Sequence, residues 1–549
     1  MGVYGLNQKF RAVATAPASR PPSGRRVRLA EMFGIGLDER AEVTLFDGLA
    51  LRVRPGDVVF ITGPSGSGKS VLLRALARAI RDDRPAGGPM VDLARLDPPS
   101  DRPVIDLPTA PFAEALRLLS AAGLADAFAL LRPAAELSDG QRYRLRLALA
   151  LDRLLAAPGA TDGSPSVAAE RDAPIDTPSA APAVPPPHRL LVADEFCSTL
   201  DRGCARAVAW RLRRLVDRHG LTLLAASAHD DLVEDLAPDV LVVKHEGDRV
   251  RVRYADQAEE EARDRRSRPA CTLLAGVRIE AGTMADWHAL APLHYRSHRA
   301  GAVTNVFRIV YVENVGCRNS DVGLPGPSAG ASVATEDAVG ANPTSDIPDP
   351  KSSPVLVGVI VYARPALSLA ARDRATGGRY RSAGLGRVSL ARLLNREVRL
   401  IRRVVIVPNW RGLGLASRLV ADTMPQVGTP YVESLAAMGH VHPFFERAGM
   451  TAYPSRPSPA GERLKAALEA AGIGRADRRG AAALDAALAS VSPPARRLAE
   501  REIDRWARSY LGAKNHRANR PDRARALALV ARHLDAAPVY YLWRREGEP

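Results

Sequence analysis

Short apolar runs alternate with segments of helical period through the first half of the chain. "DVVFITG" reads as a buried strand; a glycine-rich loop and the amphipathic helix "KSVLLRALARAI" follow it. "RLLVADE" and "LTLLAASAH" read as two more buried strands. Strands separated by helices predict a mainly parallel sheet with helices on its faces. The second half mixes elements as well. "VLVGVIVYARP", "VRLIRRVVIVP" and "TPYVESLA" are strand-like, with the helix "GLASRLVADTM" between the last two. From Ser455 to about Ala536 the pattern is helical, and "PVYYLWRR" closes the chain as a last short strand.

Two stretches interrupt these patterns. Pro158 to His188 and Arg318 to Pro354 are mixtures of Ala, Pro, Gly and Ser with almost no large apolar residues. Such segments bury too little surface to offset their ordering entropy, so they read as low-complexity insertions within folded domains. The charged stretch Asp256 to Pro269 reads as an interdomain hinge or a short helix. A chain of 549 residues exceeds one ordinary core. The expected organisation is a basic disordered tail over 1–28, a first domain over 29–255 and a linker over 256–270. A second domain over 271–454, a basic helical insertion over 455–537 and a closing strand over 538–549 complete it.

The net charge of +16 concerns partners rather than fold. Either arginines coat solvated faces, or they form a footprint for RNA or another polyanion. Cys197, Cys204, Cys271 and Cys317 have no paired spacing, which points to a reducing, cytoplasmic setting and away from a zinc site. No run reaches the roughly 20 apolar residues that a membrane helix requires.

"GPSGSGKS", Gly63 to Ser70, follows a strand and opens a helix. In that context glycines let backbone N–H groups face phosphates, Lys69 adds a point charge, and the Ser70 hydroxyl suits Mg²⁺. Gly63, Ser65, Gly66 and Gly68 are the expected cradle. Downstream come "LSDGQ" (Leu137 to Gln141) with a basic helix, "LLVADE" ending in Asp194 and Glu195, "STLD" (Ser198 to Asp201), and "SAHDD" with His229. This series resembles the ATP-binding-cassette (ABC) ATPases from about Leu29 to Tyr254. The resemblance implies that Asp194 holds Mg²⁺ through water, Glu195 polarises the attacking water and His229 contacts the γ-phosphate of ATP. Ser138 and Gly140 would contact ATP bound to a second subunit, with Gln141 and Asp201 in the same nucleotide set, so a homodimer through the ATPase domain is expected. Phe33 could stack on adenine or simply fill the core. There are two departures. No Gln lies between the P-loop and LSDGQ, where Asp106 in "PVIDLP" sits, and the helical segment before LSDGQ is short. A transport role would need a separate membrane subunit.

A second glycine turn, "NWRGLGLASRLV" (Asn409 to Val420), also joins a strand to a helix. It lacks the Lys-Ser of a Walker loop and the third glycine of a dinucleotide fingerprint. Successive N–H groups and a helix N-terminus could still bind a pyrophosphate. The turn resembles the acetyl-CoA loop of the GNAT superfamily of N-acetyltransferases. "YVESLAAMGHVHPFFERAGM", "GVRIEAGTMADWHALAPLHYR" and "VLVGVIVYARP" resemble that family's flanking elements, so the likeness covers about Cys271 to Tyr453. It implies that Arg411, Gly412, Gly414 and Ala416 cradle acetyl-CoA and that the amides of Val405 and Val407 hold the thioester carbonyl. Glu433 is the leading candidate base, with Glu397, His440 and His442 as alternatives; Phe444 and Phe445 read as core. The fold class expected is α/β, a P-loop ABC ATPase domain followed by a GNAT-like α+β domain with a helical insertion.

That arrangement resembles a family of ABC-type ATPases fused to a predicted acetyltransferase. It implies ATP, Mg²⁺ and acetyl-CoA as ligands, with dimer closure coupled to acetylation of RNA or protein. The alternative is a transporter-like or DNA-repair-like ATPase whose acetyltransferase-fold half is inactive.

Overall fold

The computed structural model describes residues 2–13, 23–37, 40–83, 88–156, 189–255, 270–294, 301–312, 354–381, 386–454, 458–511, 521–536 and 538–547. The hinge Asp256–Pro269, the first low-complexity insertion and all of the second except Pro354 lie outside them. Two compact units divide the chain: Met1–Arg278 with Ile309–Val357 and Ile406–Leu415, and Ile279–Arg308 with Gly358–Val405 and Ala416–Pro549.

In the first unit the strands are β1 (Gly2–Val13), β2 (Arg40–Val53), β3 (Val58–Thr62), β4 (Met90–Asp92), β5 (Arg189–Ala193), β6 (Leu221–Ser227), β7 (Val240–Lys244) and β8 (Val250–Tyr254). β4 to β8 and β3 form one sheet in the order β4-β5-β6-β3-β7-β8. Its pairs are parallel except the edge strand β8. Every residue of β3 and β6 is buried, as expected of central parallel strands covered on both faces. The helix Lys69–Asp82 lays Leu72, Leu73, Leu76, Ala77 and Ile80 on this core.

The expected tail over 1–28 is not a tail in its described part. Gly2–Val13 pairs antiparallel with β2, and Gly24–Phe33 is helical. The reason is a period of two hidden among polar letters: Tyr4 and Leu6 pack with Phe46 and Leu51 into the core of the first unit.

A seven-stranded sheet supplies the second architecture: β9 (Val277–Ala281), β10 (Val303–Tyr311), β11 (Val355–Ala363), β12 (Val398–Ile406), β13 (Tyr431–Ala436), β14 (Thr451–Tyr453) and β15 (Val539–Arg544), in the order β14-β15-β13-β12-β11-β10-β9. β12 and β13 are parallel, in register from Val398–Tyr431 to Ile401–Ser434, while β12 runs on to Ile406. The helix Leu415–Thr423 lies between them in sequence, as a parallel crossover requires. The last strand, β15, inserts antiparallel between β13 and β14.

Between β14 and β15 run the helices Pro459–Ala470, Ala481–Ser490, Pro493–Tyr510 and Arg523–His533. They close their own core of Leu464, Leu468, Leu484, Leu488, Ile503 and Trp506. Removing one of its fully buried leucines costs transfer energy plus a cavity. Leu488→Ala is therefore expected to destabilise the protein by about 2–5 kcal/mol. Urea unfolding checks this, and an unchanged midpoint would contradict the packing described.

Candidate functional site

The loop after β3 is shaped by crowding. A side chain at Gly63 would overlap the backbone carbonyl of Lys244 at the end of β7, and Gly63, Gly66 and Gly68 all have positive φ, a region L side chains rarely enter. Among the described residues, the N–H groups of Ser65, Gly66 and Gly68 donate to no carbonyl, and the first turn of Lys69–Asp82 adds more unpaired donors. Ser67 is buried and its hydroxyl is an unsatisfied polar atom within the loop. The glycine pattern of the loop does not single out Ser67. Orphaned donors around a concave turn fit an anionic ligand.

Charge is arranged at the same corner. The Lys69 ammonium donates to the carbonyls of Gly63 and Pro64 at 2.8 and 2.6 Å. Burial lowers its pKa, opposed by the fields of Asp194 and Glu195. The Ser70 hydroxyl meets Asp194 at 2.8 Å, which brings together the two expected Mg²⁺ residues. This hydroxyl–carboxylate pair is a donor set that suits a hard divalent cation.

Just beyond β5 the backbone is strained: Glu195 and Cys197 have φ of 50° and 58°. Glu195 itself is exposed. Tyr143, on the LSDGQ helix Asp139–Leu155, accepts a hydrogen bond from the Cys197 N–H at 3.0 Å and so pins this turn. Burial pushes the Cys197 thiol up to about 12 and makes it inert. Ser138 caps its helix in a reciprocal box with Gln141, and a side chain at Gly140 would press on Leu200 and the Thr199 carbonyl. Asp201 caps the helix Arg202–His219 through the Cys204 N–H at 2.8 Å. His229 is exposed after β6, its N–H donating to Ser227. Asp106 lies exposed in a single 3₁₀ turn, and Phe33 is exposed rather than core.

The second glycine turn also presents unpaired amides. Gly412 and Gly414 have φ of 82° and 78°. Among the described residues the N–H groups of Gly412, Leu413 and Gly414 donate to no carbonyl, and the helix carrying Ala416 starts at Leu415. A side chain at Gly414 would meet nothing within 4 Å, so the space beside it is open. Arg411 folds back, donating to Ile406 at 2.9 Å and to Ala125 at 2.7 Å. The expected role of Val407 needs correction. Its N–H is already given to the Val357 carbonyl at 2.9 Å.

The expected base also needs correction. Glu433 is buried, and Arg372 holds both its oxygens at 2.6 and 2.8 Å while the Tyr540 hydroxyl donates to one of them at 2.9 Å. A carboxylate so committed is a structural anchor. Glu397 is likewise held by Arg379, Arg396 and Tyr380. Alternation along β13 does not point to the commitment of Glu433, because Arg372 and Tyr540 come from distant segments. In the helical module Arg496, Arg505, Arg508 and Arg523 pair with Glu500, Glu502 and Asp504. Trp506 is core rather than an exposed stacking platform.

The family described as "AAA ATPase domain" matches residues 40–171. The aliphatic sulfonates import ATP-binding protein SsuB of Ralstonia nicotianae is 33% identical over 24% of this chain and 50% of its own length. For the methionine import ATP-binding protein MetN of Thermobifida fusca the identity is 30%, over 37% of this chain and 62% of the relative. The chain thus spans between half and five-eighths of these relatives' lengths. The ADP conformation of MJ1267, an ATP-binding cassette of an ABC transporter, aligns with 41% of this chain and 91% of that one at 18% identity, with a TM-score of 0.27. An AAA-type ATPase domain with ABC-type relatives is therefore present in the chain. Among the described residues, no helix is long and apolar enough to cross a membrane.

Removing one partner of a buried ion pair leaves an uncompensated charge, at a cost of about 3–5 kcal/mol. Glu433→Ala is expected to lower stability by that amount and to leave ATP binding intact once folded. Thermal unfolding with nucleotide titration tests this, and a fully stable variant would contradict a structural Glu433.

Proposed function

We propose, with an ATPase domain of ABC kinship as the premise, that the protein is an ATP-hydrolysing homodimer joined to an acetyl-CoA-dependent N-acetyltransferase of the GNAT kind. In the ATPase half, the loop amides and Lys69 hold the phosphates of ATP, and Ser70 with Asp194 would hold Mg²⁺, which neutralises phosphate charge. Glu195 is exposed at the end of β5, where it can orient the attacking water, and His229 lies beyond β6 for the γ-phosphate. Ser138 and Gly140, at the start of the LSDGQ helix, would complete the site of a second copy. A cytoplasmic location belongs to the same reading.

The acetyltransferase reading rests on one observation: a turn with unpaired glycine amides closes β12, the strand that lies parallel to β13 near the middle of the seven-stranded sheet. The diphosphate of acetyl-CoA would lie on Gly412 to Ala416, with the thioester carbonyl along β12 near Val405. An oxyanion held by a fixed main-chain amide is stabilised as the amine attacks. With Glu433 and Glu397 committed to ion pairs, His440 and His442 in the turn leaving β13 are the candidates for accepting the amine proton. Trp506 of the helical module is buried and so offers no face for a base, which favours a protein amine over RNA as acceptor.

A second reading has its own observation. Both carboxylates first suited to be the base are consumed by ion pairs, which favours a transporter-like or DNA-repair-like ATPase with an inactive acetyltransferase-fold module. Transfer of labelled acetyl from acetyl-CoA to protein in cell extract separates the two.

Three variants test the proposal. Lys69→Ala removes a charge-assisted contact of about 1.5–3 kcal/mol, so ATP affinity should fall roughly 10- to 100-fold by calorimetry. Glu195→Gln should accumulate an ATP-bound dimer in light scattering, and a variant that stays monomeric with ATP counts against the sandwich. Gly414→Glu should weaken acetyl-CoA at least about tenfold through charge and bulk while ATP hydrolysis stays within about twofold; unchanged acetyl-CoA affinity would remove the second cradle.

A further inference from the structure

Arg211 is the feature that neither cradle explains by itself. It lies on the helix Arg202–His219 and is only 6% exposed. Its Nε donates to the Ala207 carbonyl at 3.0 Å, and one terminal nitrogen donates to the carbonyl of Arg411. Among the described residues no carboxylate pairs with it. A cation buried against neutral carbonyls gives up hydration without an opposite charge in return. Burial lowers it to about 10, so it remains charged near neutrality. A residue with only a packing task could be apolar.

Its contact has a geometric consequence. In a trans peptide the C=O and the next N–H point in opposite directions. With the Arg411 carbonyl turned to Arg211, the Gly412 N–H is aimed away from it. The guanidinium would also lie 2.9 Å from any side-chain carbon at position 412, so it backs the turn against collapse. Neighbouring Asn409 is fastened to the same segment. Asn409 donates to Asp201 at 3.3 Å, and Asp201 is the cap of the helix that carries Arg211. Arg411 reaches the Ala125 carbonyl. That helix begins directly after the strained turn from Asp194 to Asp201, which answers to the first cradle through Ser70.

We propose that Arg211 is a positioning residue for the diphosphate of the second cradle, and that its helix, fastened by Asp201 to Asn409, makes the affinity of that cradle depend on the nucleotide in the first. This inference rests on the reading of the second turn as an acyl-CoA site. A change at the Asp194–Asp201 turn moves the helix cap, the cap moves Asn409, and Arg211 reorients the peptide between Arg411 and Gly412. Linkage makes the effect reciprocal: acetyl-CoA must change ATP affinity by the same factor.

The test is calorimetric titration of coenzyme A into the full chain with no nucleotide, with Mg-ADP and with a slowly hydrolysed Mg-ATP analogue. The variants are Arg211→Met, Arg211→Lys and Asn409→Ala, the last chosen because a half-exposed side chain spares the fold. The wild type should show a nucleotide-dependent change in coenzyme A affinity of at least about fivefold, within the usual range of coupling. Asn409→Ala should bring that factor to about one while binding coenzyme A. Arg211→Met should weaken coenzyme A about tenfold or more with ATP affinity unchanged, and Arg211→Lys should recover part of it; a packing role would treat Met and Lys alike. Identical coenzyme A affinity in all nucleotide states of the wild type overturns the linkage and leaves the acetyltransferase reading standing. A wild type that binds ATP but not coenzyme A removes both.

Discussion

The strand Val58–Thr62 is buried on both faces and paired on both edges, with β6 and β7. Everything at the first cradle follows from that burial. Because β7 runs alongside, its last carbonyl sits where a side chain at residue 63 would be, so only glycine can leave the strand there. The chain then turns through positive φ at Gly66 and Gly68 and enters a helix whose first amides have no partners. The donors presented at this turn are thus main-chain groups that the sheet leaves unsatisfied. Lys69, Ser70 and Asp194 add charge to a shape already fixed.

The seven-stranded sheet solves a similar problem with different means. β12 and β13 are parallel, so the chain must cross over between them, and the crossover begins at the turn of Gly412 and Gly414. What keeps β13 in place is the Arg372–Glu433–Tyr540 cluster, which ties it to β15 and to the helix Ala370–Ala375. A buried ion pair is a poor source of net stability, and losing one partner leaves an uncompensated buried charge. Here a one-residue slip would strand Glu433 without its arginine. The same commitment withdraws Glu433 from proton transfer, so structural and catalytic demands on one carboxylate exclude each other.

The parts of this architecture that the sequence discloses are those whose signal is local. The P-loop glycines, the LSDGQ helix with its Ser138–Gln141 box and the strand periods of β5, β6 and β11 each need only neighbours within a few residues. Residues whose meaning depends on distant partners stay hidden. Tyr143 reads as one aromatic on a basic helix until it is seen holding the Cys197 amide. Arg211 is one arginine among many until its carbonyl partner 200 residues away appears. Val407 reads as a free strand amide, yet Val357 takes it. β1 escapes because Tyr4 and Leu6 supply only a short alternation amid glycine and polar residues, and its partner strand lies some forty residues on.

The central claim is that two strand-to-helix turns offer main-chain amides to two different diphosphates. Amide hydrogen exchange of the full chain, followed by mass spectrometry, reads those amides directly. The account predicts that acetyl-CoA slows exchange over residues 409–416 and that Mg-ATP slows it over 63–70. Acetyl-CoA that protects neither segment, or only 63–70, would contradict it.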